Sequence, residues 1–156
     1  MNTMKNLSIR LVQVNISFLF LAFLLIAILN GHFFNWLDKI LGHDFKGNDF
    51  PKMTPLMKAI LIIIIAPIIE SILFQYLPIM LTRKFIIQKK WVVITLSALL
   101  FSIFHIYNIT YFFMALIGGL LMGTFYHIAE YKKLSPILFT FLLHASYNMY
   151  GYIFVN

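Results

Sequence analysis

The chain has no cysteine, which excludes disulfides, thiolate nucleophiles and cysteine-ligated metals and leaves the redox compartment unreadable. Charge is scarce as well. Asp, Glu, Lys and Arg make up 11% of the 156 residues, against 62% hydrophobic and 17% aromatic, and the mean hydropathy is +0.90. Soluble domains carry about a quarter charged residues, so an ordinary soluble domain is excluded. No internal repeat or low-complexity segment occurs, and the length suits one compact bundle rather than two. The basic residues flank apolar runs and form no aromatic-interleaved patch, which leaves no nucleic-acid partner.

What is present is a series of long apolar runs. They lie at about 11 to 29, 57 to 81, 91 to 109, 111 to 127 and 136 to 155, each near the roughly 20 residues needed to cross about 30 Å of hydrocarbon. The fold class that follows is all-α, a polytopic membrane helix bundle with about five transmembrane helices. The first run follows Lys5 and Arg10 without a small-residue cleavage site after it, and is expected to be a retained anchor. With the loop 30 to 56 it forms an N-terminal segment, 1–54, ahead of a core at 55–156. The uncharged link "IYNITYF" predicts a tight hairpin at the membrane surface. Pro67 and Pro78 predict kinks in the second run, with backbone opened near residue 70. Gly119 and Gly123, with Ala115 one turn earlier, predict close helix packing, and the end "SYNMYGYIF" predicts an interfacial aromatic belt rather than a ligand cage.

Against this apolar background the polar residues stand out. "APIIESILFQYLP" (66–78) carries a single carboxylate, Glu70, and intramembrane carboxylates are functional candidates by default. His105 in "FSIFHIYN" and His144 with Asn148 in "LLHASYNMY" are the natural partners. Residues 144 and 148 are four apart and share a helix face. His127 falls at a span end and is expected to play an interfacial role. Counting about 1.5 Å per residue from the basic ends of the spans puts Glu70 roughly 17 Å, His105 roughly 21 Å and His144 roughly 12 Å deep, one central slab. An interhelical hydrogen-bond clamp is the bland role for any single His or Asn of this set.

Glu70 with "ESILFQ", Phe101 and His105 in "FSIFH", and His144 and Asn148 in "HASYN" resemble the three motifs of the CAAX prenyl endopeptidase and bacteriocin-processing family, also called ABI or CPBP proteins. That pattern is Glu-Glu-x-x-x-Arg, then Phe-x-x-x-His, then His-x-x-x-Asn or Asp, and the match spans roughly residues 55 to 155. The resemblance implies an intramembrane endopeptidase in which Glu70 and His105 activate a water while His144 and Asn148 stabilise the oxyanion. It implies a peptide or membrane-protein substrate, and a role in bacterial peptide processing or bacteriocin self-immunity. A catalytically inactive homologue acting as a membrane binding or immunity protein is the other function class. Glu70, His105 and His144 also form a set able to hold zinc with an open position; the resemblance favours the metal-free chemistry. Ser71 and Gln75 stand where the motif has its second Glu and its Arg. Two positions four apart on a helix suit an ion pair, so their joint neutral replacement reads as a neutralised pair beside a retained Glu70.

The basic residues fix an expected orientation. Lys5 and Arg10, then Arg83, Lys84, Lys89 and Lys90, then Lys132 and Lys133 fall in alternate connections, which predicts N-in and C-out in a bacterial cell membrane. The net charge of +7 suits anionic lipid headgroups on that inner side. A cytoplasm-dependent reporter inserted near Lys89 is expected to be active and one fused after Asn156 silent; the opposite pattern in a reporter assay reverses the orientation.

Overall fold

A computed structural model describes residues 13–42 and 53–155 of the chain. Lys5, Arg10 and residues 43–52 of the expected loop lie outside these described residues. Five helices make up the described part: α1 Ile16–Ile40, α2 Pro55–Phe85, α3 Lys90–Ile103, α4 Ile109–Tyr131 and α5 Pro136–Phe154. By length and apolarity α1, α2 and α4 are long enough to cross a membrane. At 14 residues α3 is shorter, and the polar positions of α5 keep it out of that group.

The expected loop from residue 30 is instead helix, and α1 runs almost three turns further than its apolar core. The stretch "NGHFFNWLDKI" contains no proline, and Gly31 is held by packing: a Cβ there would lie 2.6 Å from Tyr147 Oη. Phe18, Leu21, Leu25, Leu29, Phe33, Trp36 and Ile40 are exposed at steps of three and four, while Leu19, Ala27, Gly31, Phe34 and Asp38 are buried. The outward stripe is apolar and the inward one mixed, as befits a helix whose solvent is lipid.

The kinks expected at Pro67 and Pro78 take the form of two π-helical turns, Leu61–Ile65 and Ser71–Tyr76, each just ahead of a proline. A proline offers no N–H and its ring crowds the carbonyl four residues back, so the wider turn relieves the collision and leaves carbonyls without partners. Both are recovered from other helices. The carbonyl of Ile62, five residues before Pro67, accepts from Asn148 Nδ2 at 2.9 Å. That of Phe74, four before Pro78, accepts from Ser97 Oγ.

The third span, expected to reach residue 109, ends at Ile103, and residues 104–108 form the turn into α4. Asn108 caps α4, its Oδ1 accepting the Tyr111 N–H at 2.7 Å. Its Nδ2 donates to Asp38 Oδ2 at 3.1 Å, mooring the turn to α1. At the opposite, basic end, Arg83 forks onto Glu130 with both N···O distances 2.7 Å, and His127 joins the pair. His127 is therefore part of a polar tie between α2 and α4.

Helices α3 and α4 meet over glycine. A Cβ on Gly119 would sit 2.9 Å from the Ala98 Cα, and one on Gly123 would sit 3.1 Å from Ile94 Cγ2. Gly118, one residue away, has open space around it. Gly119→Ala is therefore expected to cost about 1–3 kcal/mol by forcing two backbones apart. Gly118→Ala is expected to be neutral or stabilising by up to about 1 kcal/mol through helix propensity. Thermal unfolding of the two variants in detergent measures the contrast.

Candidate active site

Glu70 ends the α-helical segment between the two π turns. Its carboxylate points inward because the exposed face of α2 is taken by Ile64, Ile68 and Ile72. Glu70 Oε2 lies 3.4 Å from His144 Nε2 and 3.7 Å from His105 Nε2. The structure thus brings three of the sequence-nominated groups to one point. His105 reaches it from the α3–α4 turn rather than from within a span.

The local chain explains how each imidazole is aimed. At the end of α3 the His105 N–H turns to the Ser102 carbonyl, three residues back. That frees the Phe101 carbonyl, four back, for the His105 side chain, whose Nδ1 meets it at 2.7 Å. A carbonyl only accepts, so Nδ1 carries a proton and Nε2 is the nitrogen left to face Glu70. The Phe101 ring packs on His105 at 4.2 Å between centroids and meets the His144 ring edge-on at 5.8 Å, so it wedges both imidazoles in place. The four-residue spacing of Phe101 and His105 serves both contacts. His144 is buried, and its Nδ1 has no hydrogen-bond partner among the described residues. With Nε2 facing a carboxylate, which accepts, the proton of neutral His144 belongs on Nε2.

Asn148 lines the same space one turn along α5, but its Nδ2 is given to the Ile62 carbonyl. Ser71 and Gln75 are buried on the second π turn. Gln75 Oε1 accepts from Ser97 Oγ at 3.0 Å, while Ser71 Oγ and Gln75 Nε2 have no partner among the described residues. The two do not bond each other.

A cavity of about 320 Å³ opens beside these groups, lined by Glu70, His105, His144 and Asn148 and walled on one side by α1. Sequence reasoning missed that wall. Asn30, His32 and Asn35 fell in the expected loop, yet Asn30 Nδ2 donates to the Met114 carbonyl at 3.0 Å and His32 Nε2 meets Tyr150 Oη at 2.7 Å. The absence of proline between residues 30 and 40 was the available signal. The tyrosines expected as a surface belt also turn inward, since Tyr147, Tyr150 and Tyr152 line the cavity.

Residues 52–150 match the family profile described as Rce1-like, type II CAAX prenyl endopeptidase Rce1-like. The chain belongs to this Rce1-like family. It is accordingly an integral membrane protein of the CAAX-type intramembrane protease class. Comparison with curated proteins and with solved structures gave no match. The Rce1-like match takes in α2 to α4 and most of α5, and leaves α1 outside it.

The Asn148 amide has a stability role that can be measured by itself. Asn148→Leu removes the donor to the Ile62 carbonyl and strands it, a loss expected to cost about 1–3 kcal/mol. The check is thermal unfolding in detergent, with Asn148→Gln as the partial rescue.

Proposed function

We propose that the chain is an intramembrane endopeptidase in which Glu70 is the general base. The observation that carries this reading is the convergence of Glu70 Oε2 with His144 Nε2 at 3.4 Å and His105 Nε2 at 3.7 Å at the wall of a cavity. Glu70 takes a proton from a water as its oxygen bonds the carbonyl carbon of a peptide unit, with His105 Nε2, the unprotonated nitrogen of the neutral ring, accepting the water's other hydrogen to orient it. The carbonyl electron pair moves onto oxygen, where the His144 Nε2–H donates to the developing charge. Collapse restores the carbonyl, breaks the C–N bond, and returns the proton from Glu70 to the leaving amine. One product carries a new carboxyl group and the other a new amino terminus. Asn148, whose amide is committed to Ile62, supports the α2 backbone beside Glu70 rather than the oxyanion.

Zinc fits these groups poorly. A zinc-bound histidine normally gives its second ring nitrogen to an acceptor, which His144 Nδ1 lacks among the described residues. The substrate class is a peptide or a membrane protein. The N-in, C-out orientation in a bacterial membrane, with anionic headgroups against the basic end, and a role in peptide processing or bacteriocin self-immunity belong to the same proposal. The second reading, an inactive homologue that binds a peptide in the same cavity, is favoured by the neutral Ser71 and Gln75 at the motif's charged positions.

Expression in host membranes followed by mass-spectrometric profiling of new peptide amino termini distinguishes the two without a known substrate. Wild-type chain is expected to generate termini that Glu70→Gln and His105→Ala reduce by about 100-fold or more, with unfolding temperature little changed for Glu70→Gln and with chelators without effect. Equal profiles from wild type and Glu70→Gln overturn the enzyme reading and leave the binding one.

A further inference from the structure

Four polar atoms near Glu70 are sealed from solvent and have no hydrogen-bond partner among the described residues: Ser71 Oγ, Gln75 Nε2, Thr140 Oγ1 and His144 Nδ1. The side chains are deeply buried, with Ser71 at 2%, Gln75 at 1%, Thr140 at 0% and His144 at 4% exposure. A fully stranded group is costly enough that native structures carry few. Four in one region call for a common ligand.

Their placement follows from the helix periods. Glu70 and His144 meet, which sets α2 and α5 in register. Thr140 lies one turn from His144 toward the Arg83 end of the bundle, on the same face of α5. Gln75 lies about one turn from Glu70 in the same direction along α2, because the two helices run antiparallel. Helix α5 packs on the Ser71–Tyr76 π turn, so the two pairs of orphans lie on packed elements, displaced toward the same end of the bundle from the Glu70–His144 contact. The chain is small there. Serine occupies position 71, and Gly123 of α4 lies against Gln75.

We infer that this interface between the second π turn and α5 binds ordered water, held by Ser71, Gln75, Thr140 and His144. The donor and acceptor count fits. Gln75 Nε2 and one hydroxyl donate to water, and water donates to His144 Nδ1, whose proton sits on Nε2, and to the oxygen of the other hydroxyl. A buried water makes two to four such bonds. The bound water then acts on the site through His144: by donating to Nδ1 it holds the imidazole with its Nε2–H toward Glu70. Thr140 and Gln75, which do not touch the cavity, thereby become positioning residues. The role assigned to that Nε2–H rests on the proteolytic reading above, whereas the water site itself does not.

Two measurements test the site on the full-length protein, and neither uses turnover. In a density map of the wild type at better than about 2 Å, water is expected within hydrogen-bond distance of at least two of the four atoms. A dry interface, or direct bonds among the four side chains, overturns the inference. In thermal unfolding, Thr140→Val and Gln75→Leu are each expected to lower the midpoint, because each strands the groups left on the water, and the double variant is expected to fall by less than the sum. Additive shifts, or none, overturn it. Histidine-selective ¹⁵N spectra of wild type and Thr140→Val supply the signature that mere packing would not move. The wild type is expected to show a hydrogen-bonded, unprotonated Nδ1 and the variant a changed Nδ1 signal; an unchanged signal removes the positioning role. If water and coupling are found while Glu70→Gln leaves the peptide profile unaltered, proteolysis fails and the hydration site stands.

Discussion

The structure depends on the problem of keeping a carboxylate inside a membrane-spanning helix. A charged side chain at the centre of such a helix costs about 2.5 to 3.5 kcal/mol on insertion, and Glu70 offsets this by facing two imidazoles rather than lipid. That requirement organises three separate parts of the chain. The α3–α4 turn must end α3 early enough to present His105, α5 must run antiparallel to α2 to bring His144 to the same height, and the cavity must admit some polarity without opening the bundle. Phe101 links the first two demands, since one ring packs on both histidines and its carbonyl fixes which nitrogen of His105 faces the acid.

A second constraint comes from backbone. Lipid satisfies no carbonyl, so the two prolines of α2 oblige other helices to supply donors, and Asn148 and Ser97 do so. Hydrophobic burial does not hold helices together where the surroundings are equally apolar; close packing and polar contacts do. The contacts here divide accordingly. Gly119 and Gly123 bring α3 and α4 close, Asn148 and Ser97 fasten α5 and α3 onto α2, and the Arg83–Glu130 fork closes the basic end. The same bonds that repair α2 also rigidify the stretch on either side of Glu70.

Much of this was legible in the residues. The apolar runs revealed a helical membrane bundle, and the spacing of His144 with Asn148, together with the motif resemblance that added Phe101 to His105, singled out side chains that the fold brings to the Glu70 cavity. The sequence was least informative where helix propensity and polarity disagree. Asn30, Gly31, His32 and Asn35 look like a loop beginning, yet tertiary contacts to Met114, Tyr147 and Tyr150 carry the helix on to Ile40. Tyrosine at a helix end carries no mark of whether it faces headgroups or a cavity, and Tyr147 and Tyr150 face the cavity. The end of α3 at Ile103 was invisible for a related reason: apolarity continues through Phe104 and Ile106, and only the hydrogen bonds of the turn show that the helix has stopped. Asn148 could be nominated from spacing, but its bond to Ile62 depends on a π turn that no periodicity predicts.

Helix α1 belongs to the chamber without belonging to the part of the chain shared with the family. Its Gly31 is fitted against Tyr147, its Asp38 holds the turn that bears His105, and its face closes one flank of the cavity. Glu70 and its two imidazoles therefore sit within the matched residues, while part of the enclosure is built by a helix outside them. Such a division lets a change confined to α1 reshape the cavity while the acid and its two imidazoles keep their mutual geometry.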